Sequence, residues 1–348
     1  MMTSAKPITI IGGGLAGLTL GIGLRQRDVP VTIHEAGHYP RHRVCGEFIS
    51  GRGQESLTRL GLDRLLESAG AIPARTAAFF TATRSTLPRP LPELAICLSR
   101  FSLDAALAAE FQRRSGKLIS GQRWRGETIG EGIICAAGRR AQSESRSERW
   151  FGLKIHVRNV PLAADLEMHV SARGYVGLCR ISGGEVNVCG IFRRRAGENL
   201  SGQDARDLLR GQPGSPLRQR LAEAEFSEDS FCAVAGISLR PQRAVGRAEI
   251  CVGDAVTMIP PVTGNGMSMA FESAELAVAP LSAWSRGENS WSEARRKIAR
   301  DCDAAFARRL AWASWLQRGM LSPSLQASLV ALASRSDWFW RLAFERTR

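Results

Sequence analysis

ITIIGGGLAG, residues 8–17, carries the strongest signal in the chain. Four β-branched residues, Ile8 to Ile11, read as a buried parallel strand, which is apolar on both faces. Glycines 12, 14 and 17 follow a G-x-G-x-x-G spacing and open a small-residue helix, LTLGIGLRQR (18–27). Gly12 permits the tight turn, Gly14 lets the backbone approach a pyrophosphate, and Gly17 lets the helix sit close to the strand. The helix start at Leu15 and Ala16 offers free N–H groups and the positive end of a dipole. VTIHEA (31–36) reads as the next strand, with Glu35 and Ala36 at its end. Glu35 comes 21 residues after Gly14, the place of a ribose-binding acid in a dinucleotide site. A Gly-rich turn without a ligand is the plainer alternative, but it explains neither the second strand nor its acid.

The next segment, PRHRVCGEFIS (40–50), packs Arg41, Arg43, Cys45, Gly46 and Glu47 into a short loop. ESLTRLGLDRLLESAG (55–70) reads as one amphipathic helix, and SLDAALAAEFQRRSG (102–116) as another, capped by Ser102 and ended by Gly116. IICAAG (133–138) ends a further strand at Gly138. From about 150 to 240, KIHVRNV, LEMHVSARGYVGLCRI, EVNVCGIFRR and FCAVAGISL read as an antiparallel sheet carrying one helical insert. RAEICVGDAV (247–256) returns to parallel-strand texture, and the chain from Trp291 is helical, with Trp and Leu interleaved with Arg. The expected architecture is α/β. A Rossmann-like nucleotide-binding domain takes 1–75, 99–150 and 243–290, and a β-sheet substrate domain takes 76–98 and 151–242. A C-terminal helical segment takes 291–348.

The second motif is Gly253-Asp254 at the end of CVGD, followed by the loop Pro261-Val262-Thr263-Gly264-Asn265-Gly266-Met267. Taken with the first turn, it resembles the flavoproteins of the p-hydroxybenzoate hydroxylase fold, which include aromatic monooxygenases, geranylgeranyl reductases and flavin-dependent halogenases. The resemblance covers most of residues 7–285. It implies FAD, with its pyrophosphate on Gly12, Gly14 and Gly17 and its ribose on Glu35. It implies the ribityl chain and pyrophosphate at Gly253 and Asp254, and the isoalloxazine by Pro261 through Met267. Arg100, in SRFSLDAAL, matches an arginine that precedes an L-D-x-x-L helix and contacts the cofactor. Gly46 would approach the ring, Arg41 or Arg43 would offset phosphate charge, and Cys45 matches the Cys-Gly of geranylgeranyl reductases. Ala137 stands where many members carry Asp. Of the reductases' aromatic pattern only Tyr175 remains. The Trp-x-Trp-x-Ile signature of tryptophan-type halogenases is absent, as is an obvious catalytic lysine.

The expected function is an FAD-dependent oxidoreductase, first a monooxygenase type acting on a hydrophobic aromatic or polyketide-like small molecule. The alternatives are a reductase of prenyl or lipid C=C bonds, and a non-catalytic FAD-binding or electron-transfer partner. Cys45, Glu47 and Tyr175 are the catalytic candidates, with Leu178 and Phe192 as further substrate-facing residues. A second G-x-G-x-x-G unit is missing, so NAD(P)H would dock transiently or an electron-donor reductase would replace it.

Formal net charge is +14, and lysine stands only at 6, 117, 154 and 297, so the cations are almost all arginine. They are spread along the chain and form no nucleic-acid module. The eight cysteines make no C-x-x-C pair, which removes zinc and thioredoxin-type readings. Several sit in apolar strand-like runs, as small buried hydrophobes do in a reducing cytoplasm. No apolar run reaches the length of a membrane span. The Arg- and Trp-rich tail leaves two readings open: a cover for the substrate domain or a dimer contact, or peripheral attachment to a membrane. The chain is expected to be a monomer or homodimer.

Overall fold

The computed structural model describes residues 5–126, 130–139, 149–194, 198 and 202–347. The chain opens as β1 (Ile8–Ile11), α1 (Leu15–Arg25) and β2 (Val31–Glu35). It continues through β3 (Phe48–Ser50), α2 (Gly51–Arg59), α3 (Asp63–Ser68), β4 (Ile72–Phe80), β5 (Arg89–Cys97), α4 (Arg100–Arg113), β6 (Lys117–Ser120) and β7 (Ile133–Cys135). Next come β8 (Arg149–Arg158), β9 (Leu166–Ser171), β10 (Gly174–Arg180), β11 (Val186–Arg194), α5 (Gly202–Arg210), α6 (Pro216–Arg220) and β12 (Glu225–Ile237). The last elements are β13 (Ile250–Cys251), α7 (Gly266–Ser285), α8 (Trp291–Met320), α9 (Pro323–Arg335) and α10 (Asp337–Arg346).

Among the described residues these strands form two sheets. The first is parallel, in the order β13-β7-β1-β2-β6. Ten consecutive residues of α1, Leu15 to Leu24, are buried, as expected for a helix that is apolar all round. It packs between this sheet and α4 and α7, and Ile8, Ile10, Leu18, Leu20, Ile33 and Phe271 form the centre of that core.

The second sheet has the order β12-β8-β11-β10-β9-β4-β5-β3. It is antiparallel except for the β4–β9 pair, where Ala77 to Phe80 run parallel to Leu166 to His169. It also takes in Phe48–Ser50, and β4 begins at Ile72, before the boundary drawn at residue 76. The period of two assigns its faces. Leu153, Ile155, Val157, Val176, Leu178, Val188 and Phe192 pack under Leu209, Leu217 and Leu221 of the helical insert. Each such Leu or Phe withdrawn from water contributes about 1.5–3 kcal/mol. Leu178 and Phe192 therefore face away from the substrate side expected of them. The alternating residues Lys154, His156, Tyr175, Asn187 and Cys189 face the first sheet's loops.

Two helix expectations change. The run 55–70 divides into α2 and α3 at Gly61, whose φ of +65° ends the first helix. The cap of α4 is Ser99, whose hydroxyl accepts from the Phe101 N–H at 3.1 Å; Ser102 lies inside the helix. The terminal helices fold back on the second sheet: α9 packs on α8 and α10, and Trp340 Nε1 donates to the Pro90 carbonyl at 2.9 Å.

Candidate functional site

The ends of β1, β7 and β13 and the starts of α1 and α7 converge on one groove. Gly12 has φ of +106°, and a Cβ there would collide with the Ala136 carbonyl. A Cβ on Gly17 would strike the Gly12 carbonyl, and one on Gly253 would lie 2.7 Å from the Ala16 Cβ. Only glycine permits this approach. By contrast, the Cβ positions of Gly14, Gly138 and Gly266 face open space, which marks the groove floor. Helices α1 and α7 begin at Gly14 and Asn265 without a side-chain cap, so Leu15, Ala16, Gly266 and Met267 lie at uncapped N-termini. Ala36, Ala137 and Asp254 are exposed along the groove.

A ladder of alternating charge runs beside it. Glu35 accepts from the Gly13 N–H at 2.8 Å and the Gly37 N–H at 2.9 Å. It also pairs with Arg41 at 2.5 Å and Arg43 at 3.6 Å. Burial pushes its carboxyl up, but the Gly37 N–H, both arginines and the Gly13 N–H outweigh this and hold it below the usual carboxylate range. Glu35 thus braces the turn and the arginine loop, and a ribose diol would have to displace or share those partners. Arg43 passes the ladder on to buried Asp104 at 3.1 Å, which Arg100 grips at 2.7 and 2.8 Å. Arg100 also faces the Cys45 thiol, whose charged form it favours. Asp254 projects into the groove, where Arg100 and Arg139 favour its charged form. Four guanidinium groups, at 41, 43, 100 and 139, therefore stand among the three acids Glu35, Asp104 and Asp254 beside the glycine turns. That suits a diphosphate bridging a nucleoside and a ring.

The loop after Val44 leaves the groove for the second sheet. Gly46 is exposed and Cys45 half-buried. Burial pushes the Cys45 thiol up, with Arg100 opposing, so it stands as a thiol and not a thiolate. The Asn187 amide holds the Cys45 carbonyl at 3.0 Å. Glu47 is wholly buried at a φ of +57°. It accepts from His156 Nε2 at 2.7 Å and the Arg100 N–H at 2.9 Å, and lies 3.5 Å from Lys154 Nζ. Burial would raise this carboxyl, but His156 and Lys154 hold it low. Glu47 is therefore an anchor between loop, α4 and β8. The carboxylate expected to act on substrate is instead fully buried on these three partners.

Beyond Phe48 lies an apolar cavity of about 160 Å³, lined by Phe48, Phe79, Met168, Val262, Leu316 and Phe339 among others. The second sheet is its floor, the Pro261–Thr263 turn one wall, and α8 to α10 its roof. The tip of the Phe48 ring packs against Gly264, where a Cβ would collide with it. Asn265 ties the loop to both sides: it accepts from the Ser50 hydroxyl at 2.5 Å and donates to the Thr347 carbonyl. Tyr175 is buried in one cluster with Val262 and Met320, and its hydroxyl has no partner among the described residues. Toward Lys154 the floor dips at Gly177, which pairs with Met168 on one side and Cys189 on the other. A Cβ there would meet nothing nearer than backbone oxygens at 3.8 Å.

The structure brings Gly12, Gly14, Gly17, Glu35, Arg43, Gly46, Arg100, Gly138, Gly253, Asp254 and the 261–267 loop to one groove. Sequence reasoning missed Arg139, although it directly follows Gly138, and Asp104, the acid of the L-D-x-x-L pattern itself. It missed Lys154 and His156 because strand alternation does not say what a charged residue faces. Among the described residues, no group of His, Cys, Asp and Glu is arranged to hold a metal ion.

No protein-family model matches the chain, and a search of curated proteins finds no match. Solved structures do match it over nearly its whole length. A flavoprotein/dehydrogenase from Cytophaga hutchinsonii has a TM-score of 0.75 at 16% identity, covering 98% of this chain and 90% of that one. A geranylgeranyl bacteriochlorophyll reductase-like protein from Thermoplasma acidophilum has 0.71 at 18%, covering 99% and 96%. The halogenase PltM, in complex with phloroglucinol and FAD, has 0.71 at 15%, covering 98% and 85%. The chain thus shares, from end to end, the fold of the flavoproteins to which halogenases of this kind and geranylgeranyl reductase-like proteins belong.

Proposed function

We propose that the chain is an FAD-dependent oxidoreductase acting on an apolar small molecule. One juxtaposition supports the reading: the loop from Pro261 to Met267 borders both compartments, with Gly266 facing open space at the glycine-floored groove and Val262 and Thr263 lining the apolar cavity. Gly14, Leu15, Ala16 and Gly138 would hold the pyrophosphate, with Arg43, Arg100 and Arg139 offsetting its charge. Asp254 would meet the ribityl chain. FAD, when bound, supplies two-electron chemistry, as hydride transfer or, once reduced, as activation of O₂. The protein's part is to place the substrate between Phe48, Val262 and Met168 and to exclude water with the α8–α10 roof. NAD(P)H docking at the open groove, or a donor reductase, would supply the electrons.

The leading reaction is monooxygenation of an aromatic or polyketide-like molecule. A second reading, reduction of a prenyl or lipid C=C bond, has specific support. Cys45 stands beside Arg100 in the segment that matches the Cys-Gly of geranylgeranyl reductases. The reductase-like protein is one of several solved structures that share the fold over nearly all of both chains, the brominase Bmp2 being another. The test begins with FAD reconstitution and anaerobic reduction. Air is then admitted with candidate aromatics, and products are read by mass. An added oxygen atom supports monooxygenation. Anaerobic reoxidation of the flavin by a polyprenyl substrate, slowed in Cys45→Ser, supports reduction. A purified protein that binds no FAD overturns both.

A further inference from the structure

The terminal helices have a second side. Their inner faces roof the apolar cavity, while their outer faces remain apolar and cationic. On α9, Leu325 and Leu332 stand two turns apart and are 54% and 46% exposed, and Arg335 beyond them is exposed too. On α10, Trp338 is 71% exposed and Arg341, one turn later, is exposed. The connection between β4 and β5 adds Leu87 at 82%. These residues meet at one joint. Arg89 donates to the Ala333 carbonyl at 2.5 Å, pairs with Asp337 and lies over the Trp340 ring. Leu87 is two residues from Arg89, and Leu332 and Trp338 adjoin Ala333 and Asp337. Three exposed apolar side chains therefore ring the latch between the β4–β5 connection and the roof, at the edge of a cavity that Leu91, Ala333 and Trp340 help to line.

We propose that this rim docks on an anionic lipid bilayer. Leu87, Leu332 and Trp338 enter the headgroup boundary, Arg335 and Arg341 meet lipid phosphates, and the roof opens toward the acyl region. The inference goes beyond the flavin reading and does not depend on it. Charge selects the occupant. Asp337 is spent on Arg89, and Glu345 is the one further acid of α9 and α10 against Arg335, Arg341 and Arg346, so the rim keeps a cationic excess beside exposed Trp and Leu, the composition of an interfacial surface. A second copy seated on the same rim would set those arginines against their own counterparts. Among the described residues no helix is long and apolar enough to cross a membrane, so the contact is peripheral.

The test is sedimentation of the full chain with phosphatidylcholine vesicles, with and without phosphatidylglycerol, at low and high salt. Binding should require phosphatidylglycerol and weaken with salt. Arg335→Glu with Arg341→Glu should lower the partition coefficient about 25-fold or more, since each surface cation contributes about fivefold. Leu332→Ser with Trp338→Ser should lower it as well. None of these four residues lines the cavity, so circular dichroism should match the wild type. Wild-type protein that ignores phosphatidylglycerol vesicles at low salt overturns the proposal, and so does binding indifferent to the anionic lipid. A dimer in size-exclusion chromatography that Trp338→Ser dissolves assigns the rim to a second copy instead.

Discussion

Glu47→Gln isolates one buried charge at the hinge of the site. The substitution keeps shape and backbone, so the φ of +57° and whatever it costs stay constant. The amide that replaces the carboxylate keeps an acceptor for the Arg100 N–H at 2.9 Å and turns a donor toward His156 at 2.7 Å, which the imidazole meets as an acceptor by carrying its proton on Nδ1. What is removed is the negative charge 3.5 Å from Lys154 Nζ, an ammonium with no solvent exposure whose other close partner is His42 Nδ1 at 2.9 Å. Leaving a buried charge uncompensated costs about 3–5 kcal/mol. Urea titration followed by tryptophan fluorescence should show a loss of that size. Lys154→Met alone should cost less, and in the double variant Glu47→Gln/Lys154→Met at least about 1 kcal/mol should return relative to Glu47→Gln, because the two sites share one interaction. A Glu47→Gln cost below about 1 kcal/mol, or strictly additive losses, would refute the view that this carboxylate serves as the lysine's counter-charge.

The groove glycines should separate by role. Gly14→Ala, with open space at its Cβ, should leave thermal stability within about 1 kcal/mol while weakening FAD binding at least tenfold by flavin-fluorescence titration; Gly12→Ala should lose the fold as well, because its Cβ meets the Ala136 carbonyl. Ala343→Phe places a ring in the apolar cavity and should abolish binding of an apolar aromatic probe with the FAD affinity unchanged, read by probe fluorescence. Glu35 and Glu47 both have depressed folded-state values, so their contribution is complete above the ordinary carboxylate value of about 4.3 and drains away as pH falls through the depressed ones. Acid titration by circular dichroism should show it, and Glu47→Gln should flatten the curve.

The nucleotide half was legible because its requirements are local. A strand, a glycine turn, a helix and an acid are each a few residues long, and close backbone approach at Gly12 and Gly17 admits no substitute. The substrate half was not legible in the same way. Leu178 and Phe192 have the same chemistry as true cavity residues, and only the register of β10 against β11 puts them under α5 and α6. The roof was less visible still, since a helix of Trp, Leu and Arg covers a cavity or meets a surface with one and the same pattern. Glu47 looked catalytic because a carboxylate next to a thiol in a loop is what an active site contains. Its burial follows from Lys154 and His156, more than a hundred residues away in sequence.

Residues 40–50 then explain how two unlike compartments share one wall. A diphosphate groove wants exposed guanidinium groups, and an apolar cavity wants none. Within eleven residues the chain makes the change. Arg41 and Arg43 turn back to Glu35 and Asp104, Gly46 presents bare backbone at the junction, and Phe48 closes on Gly264 as the first cavity residue. Between them Glu47 turns inward at a positive φ and is clamped from three sides, which keeps Gly46 from drifting toward either compartment. The strain at Glu47 has a function in this account: a glycine would adopt the same φ without cost but would leave Lys154 and His156 unanchored. Loop, α4 and β8 are held in register by that one carboxylate, and the groove and the cavity meet where it holds them.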